Sequence, residues 1–327
     1  MFWKDKTVLV TGAGGFIGSH LVEELLLQEA KVRAFIHYSA RSDWGNLELL
    51  DAQLLDKLQV FSGDLIDSKT VYEAVKGQDY IFHLGAVISV PHSFASPHIY
   101  IETNVKGTLN LLEACRQAPL SRLVHLSSSE VYGNPAVERI SESEPLQAHS
   151  PYAASKIGAD KMVESYFHAF SLPAVIARPF NNYGPRQSPR AIVPTIITQL
   201  LKGNRVKLGN LNAERDLLFV KDTVKGLLGL AESESTIGEV VNLGTGCSVS
   251  IKTLVETVAA MLSIKAEIET EEQRVRSLSS EVWRLCADTS KAKRLINWQS
   301  EVNLEEGLRL TLEWLSTRQL QPDRYIY

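Results

Sequence analysis

The chain is poor in the features that would place it outside ordinary folded proteins. It has only three cysteines in 327 residues, Cys115, Cys247 and Cys286. They lie far apart and match no disulfide framework or zinc spacing, so no metal site is expected and a reducing compartment is the simplest setting. No apolar run approaches the ~20 residues of a membrane span. Met1 to Lys6 leads straight into a strand-like run rather than a long apolar leader. The expectation is a cytoplasmic protein without a membrane partner. Charge of one sign is also lacking: the net value of -4 gives no electrostatic reason to expect nucleic acid. There is no internal repeat and no low-complexity linker. What remains, 44% hydrophobic and 22% charged residues, is enough for a substantial core in one large or two smaller domains.

Against that background the first chemical signal is a glycine-rich turn. Thr7-Val8-Leu9-Val10 is β-rich, Thr11-Gly12-Ala13-Gly14-Gly15-Phe16-Ile17-Gly18 follows, and 19–28 carries apolar residues at helical spacing. A strand, a glycine turn and a helix in that order can bind a dinucleotide. Gly12 permits the turn, Gly15 lets backbone approach a pyrophosphate, and Gly18 lets the helix pack on the strand. The helix N-terminus then faces the phosphates. The second expected strand, 31–37, ends in His37-Tyr38-Ser39-Ala40-Arg41. An acid for the ribose 2′-hydroxyl is missing there, and Arg41 leans toward the 2′-phosphate of NADP. Arg41 as a solvated loop residue is an equally good account.

Further strands are expected at 58–62, 80–84, 122–126 and 174–178. Asp64 follows the third, placed to reach an adenine amine or to cap the next helix. Leu84-Gly85-Ala86 follows the fourth, where small residues let a flat cofactor pass. His83 reads as a packed strand residue, and 90–93 as a loop lining a cleft. Long helices are expected at 99–118 and 151–170. Six alternations of strand and helix imply an α/β, doubly wound parallel sheet with ligands at the carboxyl ends of its strands. A seventh strand is expected near Val240. The remainder reads as a smaller mixed α/β domain, dividing the chain into 1–181 plus 217–248 and 182–216 plus 249–327. Its arginines Arg186, Arg190, Arg215, Arg276 and Arg284 are candidates for a diphosphate. Arg215 stands out because it borders 217–220, expected to return to the main sheet.

The second chemical signal is Ser127-Ser128-Ser129-Glu130-Val131-Tyr132-Gly133, followed by Tyr152-Ala153-Ala154-Ser155-Lys156. The i,i+4 spacing puts the Tyr152 phenol and the Lys156 ammonium on one helix face. The cation is expected to lower the phenol's pKa toward neutrality. With Ser128 sharing the proton, the trio can deprotonate a sugar alcohol as hydride leaves its carbon. Glu130, otherwise a loop or capping carboxylate, is then a candidate general base.

Thr11-Gly12-x-x-Gly15-x-x-Gly18, Tyr152-x-x-x-Lys156, Arg178-Pro179-Phe180-Asn181-Asn182-Tyr183-Gly184-Pro185 and Arg215-Asp216 together resemble the extended short-chain dehydrogenase/reductases, a family of nucleotide-sugar epimerases, dehydratases and decarboxylases. The resemblance implies a Rossmann domain, a tightly held nicotinamide cofactor and a nucleotide-diphosphate-sugar substrate. It also implies a homodimer formed through the helices at 99–118 and 151–170. It adds Phe16, Ile17, His37, Tyr38, Leu65 and Leu84 to the expected cofactor contacts. Val90, Asn181, Arg190, Val193, Arg215 and Arg276 are the implied substrate contacts. Ser277 stands where a proline is expected after the diphosphate arginine. Members are NAD-dependent, so the expected cofactor is NAD(P), with NAD preferred over NADP.

Glu130 argues against simple epimerisation, but Ser128-Ser129-Glu130 does not separate dehydration from decarboxylation. The segments 37–48, 188–197 and 280–288 and the tail Asp323-Arg324-Tyr325 are similar to bacterial UDP-N-acetylglucosamine 4,6-dehydratases and GDP-linked relatives. The implied net reaction forms a 4-keto-6-deoxy sugar nucleotide, with Ser129 assisting Glu130. UDP-glucuronate decarboxylation, epimerisation and a non-catalytic dinucleotide sensor are the competing readings.

Overall fold

Short, β-branched runs buried on both faces set the frame, as expected of parallel strands covered by helices. In a computed structural model that describes residues 1–271 and 281–318, seven parallel strands form one sheet. They are β1 (Thr7–Thr11), β2 (Lys31–His37), β3 (Gln59–Gly63), β4 (Tyr80–His83), β5 (Arg122–Leu126), β6 (Ala174–Pro179) and β7 (Val240–Leu243). Their spatial order is β3-β2-β1-β4-β5-β6-β7, so the winding reverses between β1 and β4. Such a reversal opens a crevice at the carboxyl ends. The expected doubly wound sheet is therefore present. Arg276 and Asp323-Arg324-Tyr325 lie outside the described residues.

One face of the sheet packs on α1 (Phe16–Leu27) and the helix Val220–Glu232, around Leu21, Leu25 and Leu227. The other packs on Ser68–Val75, α2 (Gly107–Arg116) and α3 (Pro151–Phe170), around Val71, Leu112 and Val163. Pro151 sits in the first turn of α3, and the Ser150 hydroxyl accepts from Ala153 N at 3.1 Å, capping it. A separate core lies among Ile192–Leu200, Arg205–Leu208, Ile251–Met261 and Leu304–Ser316.

Four expectations are corrected. The helix at 99–118 is not uniform: α-helical Pro97–Tyr100 passes through a π-helical turn, Ile101–Lys106, before α2. Asn104 in that turn is pulled aside by bonds to Val87 N (2.8 Å), Val87 O (3.0 Å) and Ser155 Oγ (2.9 Å). The loop at 90–93 is a short helix, Val90–Ala95, because Ser89 caps it and Pro91 fits its first turn. Asp64 does not cap the next helix; Asp67 does, accepting from Lys69 N at 3.1 Å, while Asp64 accepts locally from Ile66 N at 3.0 Å. Leu217–Phe219 does not return to the main sheet but pairs with Asn181–Tyr183. The return is β7, beside β6.

Candidate active site

The glycine turn and the turn after β4 meet at the crevice. Gly12 has φ +68, and a Cβ there would lie 2.8 Å from Gly85 N, so only glycine fits both the backbone and the contact. Thr11 Oγ1 accepts from Gly85 N at 3.0 Å and shares a hydrogen bond with His83 Nδ1 at 2.8 Å. His83 Nε2 meets Thr108 Oγ1 at 3.0 Å, so both ring nitrogens are engaged in packing the crevice floor. α1 begins after exposed Gly15 with no side-chain cap. Its first amides therefore face the glycine turn with no side chain claiming them, an arrangement that fits a pyrophosphate. Phe16 and Ile17 open the helix, half-buried, and Gly18 is packed so closely that a Cβ would overlap the Gly12 carbonyl oxygen.

At the end of β2, exposed His37 lies 3.3 Å from Asp64 through Nε2 and Oδ2. Tyr38 and Arg41 are exposed on the turn that follows, with Arg41 N donating to Ser39 Oγ at 3.2 Å. Leu65 is buried beneath Gly85; half-buried Leu84, Gly85 and Ala86 line the reversal point.

β5 delivers Ser127, and Ser129–Tyr132 forms a single 3-10 turn. The Ser128 side chain lies close enough to act on the Tyr152 phenol and accepts from Glu130 N at 3.2 Å. Ser129 is buried; Glu130 is half-buried and lies close enough to act electrostatically on Tyr152. Its carboxylate makes no hydrogen bond or ion pair among the described residues.

Tyr152 is buried, and burial pushes its phenol up to about 12. The neighbouring Ser128 hydroxyl opposes this, while Glu130, Asp160 and Tyr100 reinforce it. Burial thus outweighs the lowering expected from the Lys156 cation. Lys156 is also buried, its Nζ donates to the Leu126 carbonyl at 2.6 Å, and burial brings its ammonium down to about 8 against the pull of Asp160. Desolvation dominates both members of the pair.

The substrate-side residues are more scattered. Val90 starts the short helix, and Asn181 Oδ1 is buried without a partner. Val193 is fully buried in the second core, so its side chain offers no surface to a ligand. Arg186, at φ +68, pairs with Glu23 of α1 at 2.9 Å through Nη2, while its Nη1 is buried without a partner. Arg190 is exposed. Arg215 is buried, donating to Glu214 O at 2.9 Å and standing 3.8 Å from Glu281. Arg284 pairs with Glu214 at 3.2 Å. Asn104 and Asp160 are structural partners of the site that motif reading missed. Asp160 was findable as an acid one turn beyond Lys156; Asn104 carried no signal.

The GDP-mannose 4,6-dehydratase family model matches residues 9–311. The UDP-glucose 4-epimerase of Mycolicibacterium smegmatis is 34% identical over 95% of this chain and 98% of its own. The dTDP-glucose 4,6-dehydratase DesIV of Streptomyces venezuelae, solved with NAD bound, is 30% identical with a TM-score of 0.86, covering 95% of this chain and 97% of that one. The UDP-N-acetylglucosamine 4-epimerase of Methanobrevibacter ruminantium, in complex with UDP-N-acetylmuramic acid, is 32% identical with a TM-score of 0.87, over 96% of this chain and 99% of that one.

Proposed function

The chain belongs to the NAD-dependent epimerase/dehydratase family of extended short-chain dehydrogenase/reductases, and on that premise we propose that it is a nucleotide-sugar 4,6-dehydratase acting on UDP-N-acetylglucosamine. The observation that carries the choice is Glu130, a half-buried carboxylate beside Tyr152 and uncommitted among the described residues. A simple epimerisation at C4 has no need of a second base.

Residues 1–181 and 217–248 hold the cofactor, which we take as NAD; 182–216 and 249–327 hold the nucleotide sugar. Packing of Leu218 and Val224 into the main-sheet core supports that division. Gly12, Gly15 and the uncapped start of α1 hold the pyrophosphate, and His37, Tyr38, Asp64 and Leu65 surround the adenosine half. When bound, the oxidised nicotinamide supplies a hydride acceptor, later a hydride donor, and a positive charge beside the Tyr152 phenol.

Tyr152 removes the proton of the sugar 4-hydroxyl, Ser128 bonds the same oxygen, and Lys156 stabilises the phenolate. The resulting C4 ketone acidifies the hydrogen on C5, which Glu130 takes. The protonated Glu130, with Ser129 beside it, returns a proton to the departing C6 hydroxyl, which leaves as water. Loss of water leaves a C5–C6 double bond conjugated with the C4 ketone; return at C6 of the hydride taken from C4, with a solvent-derived proton added at C5, would give the 4-keto-6-deoxy sugar nucleotide and leave the cofactor oxidised again. Arg215 and Arg190 are assigned to the diphosphate, with Arg276 in the same role from its sequence position alone. Exposed Ile99, Ile101 and Phe170 on the two long helical segments support a homodimer.

Incubation with UDP-N-acetylglucosamine in heavy water tests the reaction: the product should lose the mass of one water and carry deuterium at C5. The second reading is a C4 epimerase, favoured by epimerases among the similar proteins, the two named above included; an unchanged product mass would establish it. Decarboxylation needs an arginine over a C6 carboxylate; Arg186 is engaged with Glu23, which leaves exposed Arg190 for that role, and a product lighter by carbon dioxide would establish it. Glu130→Gln should still permit the first oxidation, accumulate reduced cofactor, and cut water loss by on the order of 10²-fold or more. Dehydration by this variant at the wild-type rate would remove Glu130 from the mechanism.

A further inference from the structure

Behind Tyr152 and Lys156 lies a buried charge cluster that the proposed reaction does not use. Asp160 is fully buried on α3, one turn beyond Lys156. Its Oδ2 accepts from Ser127 Oγ at 2.8 Å and from Arg178 Nε and Nη2 at 3.1 and 3.0 Å. Its Oδ1 receives no hydrogen bond and faces His125 Nε2 at 3.4 Å. Arg178 also donates to the Tyr132 hydroxyl at 3.0 Å, which donates to Asn242 Oδ1 at 2.8 Å. This one carboxylate therefore ties β5, β6 and α3 together under the reaction centre.

The charge count makes Asp160 more than a brace. Asp160 acts on Lys156 from one turn along the same helix, Lys156 acts in turn on His83 of β4 and His125 of β5, and Arg178 of β6 is bonded to Asp160 itself. Glu130 and Tyr100 also act on the phenol, Tyr100 with its ring edge-to-face against that of Tyr152. Burial holds both histidines toward their neutral forms. The buried cluster then contains two cations, Lys156 and Arg178, and one anion, Asp160. A buried cation without a counter-charge gives up its proton. With Asp160 present, Arg178 is neutralised and the remaining positive charge, on Lys156, is available to the phenolate that forms only when Tyr152 gives up its proton.

We propose that Asp160 is a positioning residue that keeps Lys156 an ammonium beneath Tyr152 and seats the Ser127-Ser128 turn against the phenol. The proposal rests on Tyr152 and Lys156 carrying the hydride step, but not on which bond breaks afterwards. Removing the charge of Asp160 takes away an attraction for the Lys156 proton and leaves Arg178 as an unbalanced repulsion. Both effects move loss of that proton to lower pH.

The experiment compares Asp160→Asn, Asp160→Glu and Ser127→Ala in the full chain. Lys156 is followed directly by 13C NMR of lysine labelled at Cε, its signal identified by its loss in Lys156→Met. The pH dependence of the first hydride transfer is read in single turnovers from nicotinamide absorbance. In Asp160→Asn the Lys156 midpoint should fall by at least one pH unit. The alkaline limb of hydride transfer should fall with it, and KM should stay within threefold. Ser127→Ala removes a hydrogen bond from the same carboxylate but no charge, and should leave the midpoint in place. Asp160→Glu should restore most of the shift.

A folded Asp160→Asn with an unmoved Lys156 midpoint overturns the proposal and makes Asp160 a structural brace only. Should Asp160→Asn not fold, Arg178→Gln decides: it frees the Asp160 charge from its bonded cation and should raise the Lys156 midpoint, and a midpoint unchanged from wild type overturns the proposal equally. The NMR titration needs no substrate. A wild-type product of unchanged mass therefore overturns the dehydratase reading while leaving this measurement standing.

Discussion

Tyr152 is held as a neutral phenol by its own surroundings, and that is the main respect in which single residues behave differently from their motif. The Tyr-x-x-x-Lys spacing was legible and correctly placed the two groups on one face of α3. The low-dielectric pocket was not, because burial of Tyr152 and Lys156 arises from strands and helices far along the chain. With the phenol pushed up to about 12, cofactor-free protein should show no tyrosinate from Tyr152 below about pH 10. Ultraviolet difference titration of wild type against Tyr152→Phe checks this. A tyrosinate step near pH 7 in the cofactor-free protein would mean that Lys156 suffices after all. The same substitution should reduce hydride transfer by on the order of 10³-fold and leave sugar-nucleotide binding intact by calorimetry. Arg186 teaches the converse lesson. In sequence it is one of five arginines that could hold a diphosphate or simply lie on the surface; Glu23 pairs with it at 2.9 Å, and a partner that distant in sequence leaves no local trace.

At the scale of elements, the strand-turn-helix at 7–27 was legible because each part obeys a local rule: a buried apolar strand, a turn only glycines can make, an amphipathic helix. What local rules do not reveal is how a second loop closes on it. Asn46 N donates to Gly14 O at 2.9 Å, and Gly45, at φ +66, would put a Cβ 2.6 Å from that same oxygen. Gly45→Ala is therefore strained in backbone and in contact, and should cost on the order of 1–2 kcal/mol. Cofactor retention should fall with it, since the displaced Gly14 belongs to the pyrophosphate turn. Gly203, with nothing within 4 Å of an added Cβ, is the control: Gly203→Ala should stay within about 0.5 kcal/mol. Urea midpoints and NAD binding of the two variants decide it. The small sheets were illegible for the same reason as this clamp. Arg205–Leu208 pairs with Glu267–Thr270 across a long stretch of chain, and no periodicity within either run names its partner.

At the scale of the whole molecule, the two cores are tied together by groups whose charge state matters. His20 on α1 meets the Pro185 carbonyl through Nε2 at 2.9 Å, next to the Arg186–Glu23 pair and to Asn46 Nδ2, which donates to Arg186 O at 3.1 Å. Burial lowers His20 to about 4, with Arg186 and Lys221 adding repulsion against the Pro185 bond. His83 and His125, behind the active site, are lowered too, chiefly by burial. Each of these histidines takes up a proton near pH 6.5 when the chain is unfolded but resists it when folded. Between those two midpoints the unfolded state binds more protons, so stability falls as pH falls. At pH 5 each fully buried neutral histidine costs up to about 2 kcal/mol relative to pH 7.5. Asp160 works in the opposite register: its carboxyl is held below the usual range, so its contribution persists until lower pH and does not cause this loss. The thermal midpoint should therefore drop between pH 7.5 and 5 before carboxylate protonation begins. His20→Gln, whose amide can still donate to Pro185 O, should recover part of that drop while leaving the midpoint at pH 7.5 nearly unchanged. A thermal midpoint that is flat from pH 7.5 to 5 would show that these histidines are not held neutral, and with it the charge balance drawn around Asp160 would have to be redrawn.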